Sequence, residues 1–229
     1  MVEVRGKKYE VPEGVILPFD IEQEYFIEDI GQIKRRPIYE FLKRAIDIVA
    51  SGLGILVLGI PMLIIAIIIR ATSKGGAFYY QERLGLNGKK FNIIKFRSMV
   101  ADAEKNGAQW SEGIEDERIT SVGQVLRKFR LDELPQLFCI FIGTMTIVGP
   151  RPERECFYNE FEKYIHGFSQ RLKVKPGLTG HAQINGGYNL APHEKIIFDI
   201  EYIKKRSLWF DIKIIFKTIA VVFTHEGAK

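Results

Sequence analysis

The sequence predicts an α+β protein: a membrane-inserted helical segment followed by a mainly helical domain that carries a small β-hairpin. Three observations predict it. Ile48 to Ile69 holds no ionisable side chain over 22 residues, and as continuous helix that run is about 33 Å long, enough to cross a hydrocarbon core. Two strand-like stretches, Ala77 to Leu84 and Lys89 to Ser98, flank Asn87-Gly88, the commonest short hairpin signal. Further along, apolar residues recur at helical spacing, at Val122, Val125, Leu126 and Phe129 and again from Leu208 to Phe223.

A chain of 229 residues fits one globular domain with an anchor and a short extension. The net charge of +5 hides an asymmetry: residues 1–33 hold three basic and eight acidic side chains, and the remainder 30 basic against 20 acidic. A basic body beside a membrane segment fits an anionic leaflet and anionic substrates. Nucleic acid is excluded as a partner, since no zinc spacing or RNA-binding signature accompanies the charge. Cys139 and Cys156 have no CxxC relation and read as reduced thiols. His166, His181, His193 and His225 lack metal-ligand spacing and read as ordinary surface or core residues. The absence of a dinucleotide fingerprint, a Walker A sequence and an Asp-x-Asp stretch weighs against nucleotide redox chemistry, a P-loop ATPase and an Asp-x-Asp sugar transferase.

The organisation expected is an acidic extension over 1–33, a membrane-inserted segment over 34–73 and a cytoplasmic domain over 74–229. The apolar run is apolar on every face, which disfavours a core helix. A spanning helix and a re-entrant hairpin both stay open. Lys34, Arg35, Arg36, Lys43 and Arg44 precede the run and Arg70, Lys74 and Arg83 follow it, so the flanks give no inside-outside bias. Pro61 bends a helix by removing a backbone donor, yet groups freed at membrane depth must find new partners.

In the hairpin, Lys95 and Arg97 share one strand face and suit a diphosphate, although a solvated edge strand explains them equally well. Asp102 to Arg118 reads as a loop or lid. Ser121 to Phe129 reads as a helix with Arg127 and Arg130 on one side. Asp132 is expected to cap a helix from Glu133 towards Ile142, with Pro135 in its first turn. Adjacent carboxylates among arginines can hold a divalent cation or attack phosphorus, while the arginines hold phosphate oxygens. Thr146 to Gly149 reads as a short strand. Pro150 and Pro152 fix Arg151 in extended backbone, which suits forked recognition of phosphate. Lys175 to Gly180 is turn chemistry, continued by a short strand and loop from His181 to Gly187. The apolar stripe from Leu208 to Phe223 packs on the core or lies in a membrane interface.

Together these segments resemble the bacterial sugar transferase family of monotopic phosphoglycosyl transferases, the polyprenyl-phosphate sugar-1-phosphate transferases that start exopolysaccharide, capsule and related glycan assembly. The resemblance runs from about Arg36 to about Val222. It rests on Lys43-Arg-Ala-Ile-Asp47, Lys95-Phe-Arg-Ser-Met99, Leu131-Asp-Glu-Leu-Pro-Gln136, Val148-Gly-Pro-Arg-Pro152, Pro176-Gly-Leu-Thr-Gly180 with Gln183 and Asn185-Gly186, and Ser207-Leu-Trp-Phe-Asp211. It implies an apolar segment that forms a re-entrant helix-break-helix in one leaflet, with interfacial amphipathic helices beside it. One departure stands out, Ile60-Pro61 where well-known members have Ser-Pro at the break. The chain also looks like a small member of the family, without the multi-span module that larger members carry.

The resemblance further implies Asp132 as nucleophile and metal ligand for Mg²⁺, with Glu133 assisting the metal or taking a proton from the lipid phosphate. The implied substrates are a UDP-sugar and polyprenyl (undecaprenyl) phosphate, at the cytoplasmic face of the inner membrane. Lys95, Arg97, Arg127, Arg151 and Gln183 are the substrate-binding candidates, and a homodimer stays open. Two other classes compete: a single-displacement membrane transferase, and a catalytically silent scaffold for glycan-assembly enzymes.

Overall fold

In a computed structural model the chain is described over residues 2–4, 7–9, 24–105, 116–187 and 190–224. It is α+β and dominated by helix. Two short strands near the N-terminus, β1 (Val2–Val4) and β2 (Lys7–Tyr9), pair antiparallel. The rest of residues 1–23 lies outside the described residues, as does 106–115 of the expected lid.

The dominant element is helix α1, Pro37–Thr72, unbroken over 36 residues with Pro61 inside it. Pro37 opens the helix, where a missing N–H costs nothing. Its mean hydropathy reaches 2.9 over an 18-residue window, making it long and apolar enough to cross a membrane. It does not stand apart from the domain. Asp47, Ser51, Met62 and Ile69 are buried, a stripe at helical spacing that lies against the domain. Leu53, Leu56, Val57, Ile60, Leu63 and Ile67 on the remaining surface are exposed.

Polar clamps fix the first half of α1. Asp47, 3% exposed, accepts hydrogen bonds from Thr146 Oγ1 (2.7 Å) and the Ile147 amide (3.0 Å). Lys43 donates to the Val148 carbonyl (2.9 Å) and to Asp211 (2.8 Å), and Arg44 donates to the carbonyls of Ile140 and Phe141. Packing holds the second half: Met62 and Ile69 join Ala77, Phe96 and Leu126 in one apolar cluster.

Strands β4 (Phe78–Leu84) and β5 (Lys90–Phe96) form the expected antiparallel hairpin, with Asn87 and Gly88 both at positive φ in the turn. Helix α2 spans Ser121–Lys128 and is capped by Thr120, whose hydroxyl accepts from the Gly123 amide at 3.0 Å. Arg130 is therefore not on α2; it lies beyond the helix at φ +55, in the left-handed region. That turn leads into one 3₁₀ turn, Leu131–Glu133, and then α3, Gln136–Ile142. The expected helix thus starts three residues late, and Asp132 caps nothing.

Strand β6 (Thr146–Val148) runs parallel to β8 (Gly177–Thr179). The two backbones touch where their glycines meet: a Cβ on Gly177 would lie 2.1 Å from the Gly149 amide nitrogen, and one on Gly180 2.2 Å from the Gly149 carbonyl oxygen. Side chains there would force apart the two segments on either side of Arg151 and Gln183. Helix α4 (Glu155–Phe161), β7 (Ile165–His166), a 3₁₀ segment (Phe168–Lys173), α5 (His181–Ile184), α6 (Pro192–Lys205) and α7 (Leu208–Thr224) complete the fold. The strand expected from His181 is the helix α5. The main core gathers Val148, Phe161, Tyr164, Phe168, Ile196, Ile203 and Ile214. Residues 24–33 belong to it: β3 (Tyr25–Phe26) pairs parallel with β7, and Ile27, Ile30 and Ile33 pack on the core.

Candidate active site

A cleft of about 370 Å³ opens between the β4–β5 hairpin, α2, the 3₁₀ turn, the Pro150–Pro152 segment and α6. Its described lining holds ten basic side chains and four acidic ones, a field that favours a multiply charged anion. All seven residues singled out in the sequence line it: Lys95, Arg97, Arg127, Asp132, Glu133, Arg151 and Gln183.

The two neighbouring acids differ sharply in environment. Each is 8% exposed. Glu133 accepts from Lys95 Nζ at 3.2 Å and from both terminal nitrogens of Arg151, at 2.5 and 3.3 Å. Burial alone would raise its pKa, but the Arg151 and Lys95 charges and the Arg151 hydrogen bond hold it well below the usual carboxylate range. Asp132 makes no hydrogen bond or ion pair among the described residues. Burial and the Glu133 charge push its pKa up, against the opposing pull of Lys95, Arg127 and Arg151. The result is one carboxylate locked in the ionised state and one that is desolvated, more basic and unencumbered.

The cations have separate tasks. Lys95, near the end of β5, and Arg151, between its prolines, converge on Glu133. Arg127, in the last turn of α2, donates from Nε to Ser98 Oγ at 3.0 Å. Arg97 lies past the end of β5 and donates to the Lys74 carbonyl at 3.2 Å, tying the end of α1 to the cleft wall. Gln183 on α5 donates to the Leu178 carbonyl at 2.8 Å, and its Oε1 is buried with no hydrogen-bond partner among the described residues.

Several cleft residues were not among the site residues expected from the sequence: Arg83, Arg130, Glu153, Arg171 and Lys195. Arg171 and Asp199 form a fully buried ion pair at 2.6 Å, and Arg171 also donates to the Arg151 carbonyl at 2.9 Å. The acid within the apolar pattern of α6 was the one available signal for that pair. Nothing local marked Arg171, whose partner is 28 residues away. Among the described residues no three His, Cys, Asp or Glu side chains cluster as a metal site.

Residues 38–225 match the model of the bacterial sugar transferase family. The chain belongs to that family. It is 41% identical over 87% of its length to a UDP-N-acetylgalactosamine-undecaprenyl-phosphate N-acetylgalactosaminephosphotransferase of Aeromonas hydrophila, covering 48% of that protein. It is 39% identical over 88% of its length to the UDP-glucose:undecaprenyl-phosphate glucose-1-phosphate transferase of Escherichia coli K12, covering 46%. A UDP-galactose-lipid carrier transferase of Erwinia amylovora is 40% identical over 94% of the chain, with 47% of that protein covered. The chain therefore spans about half the length of the curated sugar transferases it matches.

Proposed function

We propose that the chain transfers a sugar-1-phosphate from a UDP-sugar to polyprenyl (undecaprenyl) phosphate, giving a polyprenyl-diphosphate sugar and UMP through a phosphoglycosyl-aspartate on Asp132. The observation that carries this reading is the unlike pair of acids, Asp132 desolvated and without a hydrogen bond or ion pair among the described residues beside a Glu133 gripped by two cations. The names of relatives that share about 40% identity supply the substrate class.

In the first displacement an Asp132 oxygen bonds to the sugar-bearing phosphorus while the bond to the UMP oxygen breaks, and its electron pair leaves on UMP. In the second, a lipid phosphate oxygen attacks the same phosphorus and the Asp132 carboxylate departs. Burial makes Asp132 a better nucleophile by removing the water that would otherwise stabilise its charge. Lys95 and Arg151 anchor Glu133 and present positive charge beside the transferring phosphoryl group; Arg127 adds a third cation. Glu133 is too acidic to serve well as a proton acceptor, and it orients Arg151 and Lys95 instead.

A divalent metal is general in this family, and Mg²⁺ suits the donors present. Mg²⁺ commonly takes one or two carboxylates and completes its shell with phosphate oxygens and water. Asp132 is the cleft carboxylate without a protein partner among the described residues, and so the one to hold it. When bound, the ion neutralises charge on the diphosphate.

Helix α1 is a membrane anchor with both ends kept at the cytoplasmic face of the inner membrane, and residues 74–229 form the catalytic body. Because α1 runs continuously through Pro61, the break expected at Ile60-Pro61 is at most a bend within one helix. The helix is tied to one polar domain near both ends, by Lys43 and Asp47 on one side of Pro61 and by Met62 and Ile69 on the other. A perpendicular span would drag that domain into hydrocarbon, at the cost of burying its charges.

Purified protein given undecaprenyl phosphate and a panel of UDP-sugars should release UMP from at least one of them and stop in excess EDTA. No release from any would sink the proposal and favour a silent scaffold.

A further inference from the structure

Pro150, Arg151 and Pro152 have a single backbone N–H among them, so neighbouring elements fix this segment chiefly through its carbonyls. Each carbonyl takes a donor from a different element. Pro150 accepts from the Gly177 amide of β8 at 2.9 Å, Arg151 from Arg171 Nη2 at 2.9 Å, and Pro152 from Arg83 Nη1 on β4 at 3.2 Å. The middle carbonyl belongs to the residue whose side chain grips Glu133, and its donor is a buried charge. The Arg171 and Asp199 side chains are 2% and 1% exposed, with Arg171 Nε 2.6 Å from the carboxylate. The guanidinium lies 4.8 Å from the Phe168 ring centroid and 5.9 Å from that of Tyr158. Asp199 stands on α6 beside Ile196, Ile200 and Ile203, which belong to the main core.

We propose that Arg171, held in place by Asp199, is a positioning residue that fixes the Arg151 carbonyl and so aims the Arg151 guanidinium at Glu133 and the transferring phosphoryl group. The proposal rests on the reaction proposed above and deepens it. Rotation about the bond from Cα to the carbonyl carbon of Arg151 turns its carbonyl and its side chain relative to each other. Tying that carbonyl to α6 therefore sets the base from which the long side chain reaches out. A group misplaced by about 1 Å commonly costs about a hundredfold in rate.

Two plainer roles explain less. Arg171 borders the cleft, but its burial and its engaged Nε and Nη2 make it a poor substrate contact. A staple of the core needs no charge: an apolar pair of similar volume fills the same space without the cost of desolvating two ions. What an apolar pair cannot supply is a donor for the Arg151 carbonyl. The forked guanidinium does both tasks, holding Asp199 with one nitrogen and the carbonyl with another.

The test is a double-mutant cycle on the full chain, read by UMP release and by the NMR signals of the Arg151 Nη protons. Arg171→Met with Asp199→Leu removes the ion pair as a unit, and Arg171→Lys, which keeps a charge beside Asp199 but gives up the fork, replaces it if the paired change fails to fold. Either change should lower kcat about tenfold or more, alter KM for the UDP-sugar less than about threefold, and broaden the Arg151 Nη signals. In an Arg151→Gln background the same change should cost less than about twofold, because Arg171 then has nothing left to aim. Losses that multiply across the cycle would make Arg171 a general packing residue and overturn the proposal. Unchanged kinetics or unchanged Arg151 Nη signals would overturn it too. A wild type that releases no UMP from any UDP-sugar would contradict the reaction, and the Arg151 signals alone would then decide the positioning role.

Discussion

At the residue scale, the Asp-Glu pair was legible in the sequence as a pair, but the division of labour within it was not. Which carboxylate carries partners depends on Lys95, 38 residues away, and Arg151, 18 residues away. Two outcomes follow from that division. Asp132→Asn should keep the fold and lower kcat about ten-thousandfold or more, as loss of a nucleophile does. Because the folded-state pKa of Asp132 is raised, its carboxyl favours the fold at low pH, and that contribution is lost as pH rises through the raised value. The Asn variant should therefore melt above wild type at pH 7–8 in metal-free buffer, with the difference closing as pH falls towards 3.8; a lower Tm at pH 7–8 would contradict it. Arg151→Lys gives up the forked contact to Glu133 and should lower kcat/KM about tenfold or more, measured by UMP release. Wild-type kinetics in that variant would remove Arg151 from the mechanism.

At the element scale, the hairpin, α2, β6 and the C-terminal helix were readable because each signal is local: Asn-Gly for the turn, helical spacing for α2 and α7. The departures arose where local signals mislead. Asp132 looks like a helix cap, yet Arg130 at positive φ turns the chain first, so the acid enters the cleft instead of closing a helix. His181 to Ile184 follows turn chemistry that does not distinguish a strand from the short helix observed. Of the two ends expected for the C-terminal stripe, core packing is seen at Ile214, while Trp209, Phe216 and Ile219 stay exposed and keep the membrane interface as a proposal. Two measurements bear on α1. Cysteines placed before Lys43 and after Arg70 should label from the same side of the membrane; labelling from opposite sides would make α1 a span. Asp47→Ala removes an acceptor that holds two donors of β6, and should lower stability by about 2–3 kcal/mol. A Tm equal to wild type would mean that the clamp does not hold α1 to the domain.

At the scale of the whole molecule, α1, the basic cleft and the acid pair fall into one arrangement. The apolar outer face of α1 exposes Leu56, Val57 and Ile60, while the same helix is tied through Asp47 to β6, the strand that leads into Arg151. On the proposed reaction, the element that would hold the membrane also brings the lipid substrate to the cations of the cleft. The family was legible from six short motifs because each marks a contact of this assembly. Lys43 and Asp47 bind around β6, Lys95 and Arg151 grip Glu133, and Gly177 and Gly180 lie against Gly149. The Arg171–Asp199 pair escaped because both partners stand outside those motifs. The central claim, covalent catalysis at Asp132, has a direct test: incubation with a labelled UDP-sugar in the absence of lipid phosphate, followed by peptide mapping and measurement of UMP. A stoichiometric burst of UMP with sugar-phosphate on the Asp132 peptide is the result expected. Label on another residue, or UMP release that depends wholly on added lipid phosphate, would contradict the claim and point to a single displacement.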